Sequence, residues 1–434
     1  MGEKKKLYNK FYEDSVFYSI KNGIKSNFMI PFAISLNAPS DIIAMISSAP
    51  QLVGSFFQLF SSDLMKHVKK RKYVIGSAAL IEALFFIPIL LVPFVWKSNF
   101  NLLLVLLILQ AIAVELLRPI YNSLIGDIVP QRKRGKIFSK INRVSGITSF
   151  ITSVIAGFVL SYFTNPFIGF AIIFSVAFGA RCVSSYIRFN YPETDHLVEK
   201  NRISLKKFTA KLTKTNFGNF VLYSSLMKFA VAISSPFFAV YMLNYLNMDF
   251  LTYSIVNAAS IVSSFLVLSK WGKRIDMKGS RYMLRLSGFV IPWVPILWIF
   301  FKDPFVLIIL QFIGGAAWSA YNLSSSNFLL DATNRRNRLV MTSYNNFFVG
   351  VMTFLGALLG GYLFKFLPAD FYGNVFYFVF ALSGGLRLLI SGYFIPHIKE
   401  ERKLEIQGPQ AKRINSVNPQ QGVEYSYIPR VKKK

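Results

Sequence analysis

Apolar segments of about 20 residues recur along almost the whole chain, separated by short polar connections. A helix rises 1.5 Å per residue, so about 20 apolar residues cross the roughly 30 Å of hydrocarbon in a bilayer. We therefore predict twelve membrane-spanning helices. Their expected ranges are 15–37, 40–62, 73–96, 101–125, 137–163, 166–189, 215–243, 250–270, 281–301, 304–328, 338–366 and 372–396.

Basic residues are concentrated in every second connection. They cluster, for example, at 66–72 after the second predicted span and at 132–136 after the fourth. The other connections have only Lys97, Lys302 and Lys365 near them. Because Lys and Arg are enriched in cytoplasmic loops, we predict a multi-pass protein of the cytoplasmic (plasma) membrane with both termini in the cytoplasm.

The longest internal connection divides the predicted spans into two sets of six. Residues 190–214 are polar and basic, and we expect them to form a cytoplasmic linker between bundles at 15–189 and 215–396. Residues 1–14 are expected to be a cytoplasmic N-terminal segment. Beyond 397 the hydrophobic periodicity ends and the chain finishes in three lysines, so 397–434 is a predicted disordered cytoplasmic tail attracted to anionic lipid.

The composition is typical of a membrane protein. Apolar residues make up 53% of the chain, aromatic residues 16%, and the mean hydropathy is +0.43. A net charge of +29 would favour nucleic acid in a soluble protein, but here the basic residues lie between apolar segments and indicate loops. We expect a monomer whose partners are membrane lipid and a small molecule, and no nucleic acid.

The sequence lacks the patterns of an enzyme or a metalloprotein. Its single cysteine, Cys182, excludes a disulfide within the chain, and three scattered histidines lack metal-ligand spacing. No phosphate-binding loop of the form GxxxxGK occurs, so this chain is not expected to hydrolyse ATP. We expect no enzymatic activity, no cofactor and no metal site.

The two halves match each other in the same direction at an offset of roughly 200 to 206 residues. This is the signature of a parallel internal repeat. The fold class predicted is an all-α integral membrane protein with twelve transmembrane helices in two parallel six-helix repeats. The matching positions are Tyr18, Ser19, Pro31 and Phe32 with Tyr223, Ser224, Pro236 and Phe237; Gln110 and Tyr121 with Gln311 and Tyr321; and Arg181 with Arg387.

The segment GKRIDMKGSR follows the eighth predicted span and carries Gly272, Asp276, Gly279 and Arg281 at the spacing GxxxDxxGxR. This spacing resembles the hallmark loop of the major facilitator superfamily. The connection after the second span keeps Asp63 but lacks both glycines, so it is a degenerate copy. The resemblance extends over about 10–396. It implies two six-helix bundles that rock about a central site, with these loop residues acting in gating.

Several ionisable residues lie inside the apolar segments, where each costs on the order of 3 kcal/mol and needs a partner, water or a function. If the family arrangement holds, spans one, four, seven and ten line a cavity. Lys25 and Lys228 would then face each other across it. The candidate substrate-binding residues are Lys25, Lys228, Gln110, Arg118, Tyr121, Asn122, Gln311, Trp318 and Asn322.

Two carboxylates are candidates for ion coupling, Glu115 in the fourth span and Glu82 in the third. Glu82 is expected on an outer helix, which makes it the weaker candidate. The alternatives are that Glu115 and Arg118 form only a structural pair and that Lys21 extends to the cytoplasmic surface.

Basic residues outnumber carboxylates in the expected cavity lining, which favours an anionic or zwitterionic solute. The sequence therefore predicts a secondary active transporter of a small polar solute, with protons or another ion as the candidate coupling ion. One alternative is a proton-coupled exporter of hydrophobic compounds. Another, from a different class, is a lipid flippase or membrane scaffold.

Overall fold

The structure is a computed structural model, and the part of the chain that it describes is helical and contains no strand. The described residues are 2–61, 63–64, 68, 70–96, 99–118, 120–121, 124, 128, 131–193, 205–210, 212–333 and 338–401.

The helices of the first half follow the predicted spans. They are α1 (Gly2–Ser35), α2 (Ser40–Gln58), α3 (Arg71–Leu84), α4 (Phe86–Val95), α5 (Phe100–Glu115), α6 (Gln131–Tyr162) and α7 (Pro166–Phe189). A short helix, α8 (Leu205–Thr209), lies in the segment predicted as a linker. Because α1 begins at Gly2, the predicted N-terminal segment continues the first helix.

The second half begins with α9 (Asn216–Ser234) and α10 (Phe237–Val240), followed by one π-helical turn (Tyr241–Tyr245). The remaining helices are α11 (Phe250–Lys278), α12 (Ser280–Val290), α13 (Trp293–Phe300), α14 (Pro304–Asp331), α15 (Arg338–Phe366) and α16 (Val375–His397), with a 3₁₀ turn (Phe371–Gly373) before α16.

Nine helical stretches among the described residues are long and apolar enough to cross a membrane, and α5 is a shorter apolar helix. The predicted spans at 73–96, 215–243 and 281–301 are each broken into two helices. Proline explains the breaks, because it cannot donate to the carbonyl four residues earlier and its ring collides there. Pro88 accounts for the end of α3, Pro236 for the end of α9 and Pro295 for the end of α12.

The segment with the GxxxDxxGxR spacing is helical rather than an open loop, since α11 continues to Lys278. Only Gly279 separates α11 from α12, and its φ of 86° is a conformation that favours glycine. The carboxylate of Glu400 accepts a hydrogen bond from the backbone amide of Arg281 at 2.8 Å, which leaves no room for a side chain at Gly279.

The two halves meet mainly through two helix pairs, α2 with α15 and α6 with α11. The largest buried apolar cluster draws on both halves and includes Phe32, Trp298 and Phe380. In contrast, the cluster around Phe11 belongs to the first half and the cluster around Phe220 to the second. The halves therefore share a core at the end where α1 finishes, called the far side below. They have separate cores at the end where α1 begins, the terminal side.

Polar contacts also join the halves on the far side. Lys365 at the end of α15 pairs with Asp41 at the start of α2, with 2.8 Å between Nζ and Oδ2. The hydroxyl of Ser161 at the end of α6 donates to Asp249, which precedes α11, at 3.1 Å. The far side is thus closed in this structure.

Candidate functional site

The side chain of Glu82 on α3 is the centre of a buried charged network. It is 2% exposed, and its two oxygens accept from Lys21 Nζ at 2.8 Å and from Arg181 Nε at 2.6 Å. Lys25 Nζ lies 4.0 Å from the same carboxylate. Glu82 is therefore a paired anion that ties α1 to α3 and α7. Lys21 is 3% exposed, which contradicts the alternative that it extends to the cytoplasmic surface.

Gln110 on α5 holds Lys25 beside this carboxylate. Its amide nitrogen donates to the backbone oxygen of Glu82 at 3.0 Å, and its amide oxygen accepts from Lys25. Gln110 is fully buried. The fourth predicted span thus contributes a neutral acceptor to the Lys25 ammonium, which leaves its charge only partly balanced.

A second buried carboxylate, Asp14 on α1, continues the network toward the terminal side. Arg188 Nε lies 3.1 Å from both oxygens of Asp14, and the hydroxyl of Tyr191 donates to it at 2.7 Å. Ser184 donates to Asp14 at 2.5 Å and accepts from Arg181 at 2.8 Å. Hydrogen bonds therefore connect Asp14 to Glu82 without a break.

Aromatic rings lie against the cations of this network. The ring of Tyr18 is 4.4 Å from Lys21 Nζ and 5.4 Å from the guanidinium of Arg181. The ring of Tyr121 is 4.5 Å from the guanidinium of Arg188. Such contacts stabilise a cation without neutralising it. The network contains the cations Lys21, Lys25, Arg181 and Arg188 and the anions Asp14 and Glu82, so cations are in excess.

Two adjoining cavities open beside the network. One of about 700 Å³ is lined by Asp14, Tyr121 and Arg181, together with polar residues of α6. The other, of about 570 Å³, is lined by Lys25 and Glu82 and reaches α2 and α15. Tyr18, Asn22, Ser26, Val114 and Arg118 line both.

Glu115 and Arg118 form an ion pair at 2.5 Å in the wall of the second cavity. Their side chains are 22% and 51% exposed, so the pair is far more accessible than Glu82. The two residues lie three apart along the chain, as a pair on one helical face requires.

The second half contributes two cations, Lys228 and Arg387, that contact neutral groups. Lys228 on α9 packs over the ring of Trp318 on α14 at 4.6 Å. Arg387 on α16 is 3% exposed and donates to Ser234 at 2.9 Å and, at 3.4 Å, to the backbone oxygen of Ile291. Neither cation pairs with a carboxylate among the described residues.

The structure brings Lys25, Gln110, Glu82, Glu115, Arg118 and Tyr121 together around the two cavities. Lys228 and Trp318 contact each other apart from them. Gln311 is partly buried and Asn322 is exposed on α14, while Asn122 lies outside the described residues. Among the gating residues, Asp63 follows α2, Gly272 and Asp276 lie on α11, and Arg281 is near the start of α12.

Sequence reasoning missed Asp14, Ser184, Arg188 and Tyr191. Asp14 falls in the segment predicted to lie outside the membrane, Ser184 and Arg188 fall in the last turns of the sixth predicted span, and Tyr191 lies just beyond it. One signal was available, since Asp14, Tyr18 and Lys21 follow each other at spacings of four and three and therefore share a face of α1.

The described residues form apolar helical spans around a charged interior, which is the architecture of a polytopic membrane protein. The model of the Major Facilitator Superfamily matches residues 16–300. The chain belongs to this superfamily, and it is a transporter, not an enzyme.

Solved structures agree on the fold. A variant of the nucleoside transporter NupG is 14% identical with a TM-score of 0.69, and the alignment covers 91% of this chain and 100% of that one. An autoinhibited peptide transporter of the POT family is 12% identical with a TM-score of 0.67, and the alignment covers 93% of this chain and 99% of that one. The human organic anion transporter MFSD10 is 10% identical with a TM-score of 0.64, and the alignment covers 90% of this chain and 99% of that one. No curated protein matches the sequence.

Proposed function

We propose that this secondary transporter moves a small anionic or zwitterionic solute by alternating access. The observation that carries the proposal is the excess of cations over carboxylates in the buried network beside the two cavities. A cavity with uncompensated positive charge attracts anions and disfavours cations.

Lys25 is the proposed contact for the anionic group. It lines the second cavity and its side chain is 27% exposed, whereas Lys21 is buried against Glu82. Its hydrogen-bond partner is the neutral amide of Gln110. An incoming carboxylate or phosphate would therefore gain a charge-assisted hydrogen bond without first displacing a short ion pair.

Lys228 and Arg387 supply the matching charge of the second half. Lys228 packs over Trp318 and Arg387 donates to Ser234, and neither has a carboxylate partner in the described part of the chain. We propose that Lys228 meets the solute when the halves approach, because the family resemblance implies that spans one and seven, which carry Lys25 and Lys228, line the same cavity.

The proposed architecture is twelve helices in two parallel six-helix repeats, with both termini in the cytoplasm of the cell and a monomer as the working unit. The terminal side is then the cytoplasmic side. Asp63, Gly272, Asp276, Gly279 and Arg281 are proposed to act in gating on that side.

Glu115 is the proposed coupling site. Glu82 accepts from two cations at 2.6 and 2.8 Å and is almost fully buried, so protonating it would break two ion pairs. Glu115 has one partner and faces the cavity. A second candidate function is proton-coupled export of hydrophobic compounds. It is supported by the same cavity, which is lined by the Glu115 carboxylate and also by apolar residues such as Met29, Ile30 and Leu107.

The test is uptake into proteoliposomes from a panel of radiolabelled anions, zwitterions, neutral metabolites and fluorescent hydrophobic compounds. We expect an anion or zwitterion to be transported, and Lys25→Ala to reduce its uptake at least about tenfold, because a hydrogen bond to a charged group contributes about 1.5–3 kcal/mol. Lys25→Arg should retain more uptake, and Lys302→Ala, an exposed lysine in a connection, is the control.

Full anion uptake by both Lys25→Ala and Lys228→Ala would overturn the anion proposal. Transport of hydrophobic compounds alone, lost in Glu115→Gln, would instead support the exporter. Flipping of fluorescent lipid with no solute flux would support a flippase. A protonophore that abolishes accumulation would identify protons as the coupling ion.

A further inference from the structure

A third cavity, of about 1130 Å³, lies away from the other two, between the start of α12 and the last turns of α16. Three basic side chains line it, Lys278, Arg281 and Arg285, with Tyr282 beside them. All three lie within the last residue of α11 and the first six of α12, on the terminal side. This end of the cavity is strongly positive.

These basic side chains are only partly satisfied by hydrogen bonds and ion pairs to the described part of the protein. Arg281 donates to the backbone oxygen of Pro396 at 3.0 Å, and Lys278 lies 4.6 Å from the ring centre of Tyr282. Arg285 is exposed and has no hydrogen bond or ion pair to any described residue. The one carboxylate in the lining, Glu400, already accepts from the backbone amide of Arg281.

The remainder of the cavity is apolar and open. Leu286 follows Arg285 directly and Phe289 comes one turn later; their side chains are 37% and 63% exposed, and Leu388 of α16 lines the same wall. Gly392 faces empty space, since a side chain added there would have no atom within 4 Å. From Arg281 to Phe289 the helix rises about 12 Å, a depth that leads from the membrane surface into the hydrocarbon.

We propose that this cavity binds an anionic phospholipid, with the phosphate on Arg285 and Arg281 and one acyl chain along Phe289 over Gly392. A basic end joined to an apolar groove on a membrane-facing surface matches both parts of such a lipid. The chain's own residues 402–434 are an unsuitable occupant because they are rich in Lys and Arg. The inference is independent of which solute is transported.

The test is native mass spectrometry of the purified full chain in detergent, titrated with phosphatidylglycerol or with phosphatidylcholine of the same acyl chains. We expect tighter binding of phosphatidylglycerol. Arg285→Gln should weaken it about fivefold, the effect expected from one basic residue at a membrane surface. Lys273→Gln is the matched control, because Lys273 is an exposed basic residue at the same end of α11 but outside the cavity.

Gly392→Phe fills the groove without changing charge and should reduce binding of both lipids. If that variant aggregates, Gly392→Leu replaces it. Equal affinity of wild type and Arg285→Gln for phosphatidylglycerol would overturn the proposal. Undiminished phospholipid binding by Gly392→Phe would also overturn it. Complete displacement of the lipid by millimolar inorganic phosphate would also overturn it, since the site would then recognise phosphate alone.

Discussion

The Glu82 carboxylate shows how a membrane interior tolerates a charge. Burial of an ion is costly, and the cost is offset only when partners of opposite charge satisfy its hydrogen-bonding positions. Here Lys21 and Arg181 occupy one oxygen each, and Gln110 bonds the backbone of the same residue. Four helices, α1, α3, α5 and α7, thereby converge on one position.

Removal of the charge of Glu82 should destabilise the protein strongly. Glu82→Gln keeps the shape but leaves Lys21 and Arg181 buried without an anion, and breaking a buried pair costs about 3–5 kcal/mol. The free energy of unfolding, measured in mixed micelles with increasing SDS, should fall by that order. Lys21→Met in the same background should restore part of the loss, since one uncompensated cation is then absent.

The matched control is Lys365→Gln, which breaks the exposed far-side pair with Asp41. Exposed pairs contribute about 0–1 kcal/mol, so this variant should unfold almost as wild type does. Equal losses in the two variants would contradict a structural role for the Glu82 network.

Charged residues inside apolar segments could be identified from sequence because they interrupt the hydrophobic pattern. Lys25, Glu82 and Arg181 were found in this way. Their pairing was not predictable, because Glu82 is 61 residues from Lys21 and 99 from Arg181, and only the packing of three helices brings them together. Asp14 was missed since hydropathy alone cannot show that a polar helix end is covered by a neighbour.

At the level of elements, α15 lies against both α9 and α2 and depends on glycine for its close approach. Side chains at Gly356 and Gly360 would collide with the backbone oxygens of Phe229 and Ile233 on α9. Their four-residue spacing, visible in the sequence, places both on one face, as in other small-residue helix contacts in membranes. Which helix they contact was not predictable from spacing.

Two glycine-to-alanine substitutions should therefore change the free energy of unfolding differently. Gly360→Ala forces α15 away from the backbone of α9 and should lower the free energy of unfolding by about 1–3 kcal/mol, the usual cost of overpacking. Gly385→Ala on α16 meets no atom within 4 Å and should be neutral or stabilising by up to about 1 kcal/mol, because alanine favours a helix. Thermal unfolding in one detergent would compare them. A destabilised Gly385→Ala would contradict this account.

Asp249 begins α11 and accepts from the backbone amides of Leu251 and Thr252 and from Ser161. Burial raises its pKa, but the hydrogen bonds from Thr252, Ser161 and Leu251 outweigh burial and hold the pKa below its usual value. The ionised form is thus favoured by folding. Its contribution is complete above the usual Asp pKa of about 3.9 and is lost as pH falls through the lowered value.

Asp249→Asn keeps the cap but removes the charge, and the two residues cap helices about equally well. At pH 7 the variant should be less stable by about 0.3–1 kcal/mol, the effect of an anion at a helix start. The difference should vanish only once the pH is below the lowered pKa of Asp249, where the folded wild-type side chain is also neutral. Thermal unfolding between about pH 2 and pH 8 tests this, and a difference independent of pH would contradict it.

At the scale of the whole molecule, the halves share one apolar core on the far side and have separate cores on the terminal side. The parallel repeat predicted from the sequence would give two similar bundles. It could not predict which side is closed, because the same helices can pack in either arrangement. That choice depends on contacts such as Ser161 with Asp249.

If the protein works by alternating access, the far side must open once in each cycle, and a bond across it should stop transport. Ser161→Cys with Asp249→Cys, in a Cys182→Ser background, places two thiols where a hydroxyl and a carboxylate now lie 3.1 Å apart. Oxidation should abolish uptake of the transported solute in proteoliposomes, and reduction should restore it. Each single-cysteine variant, treated identically, should be unaffected. Full uptake by completely cross-linked protein would mean that solute does not pass through an opening between α6 and α11.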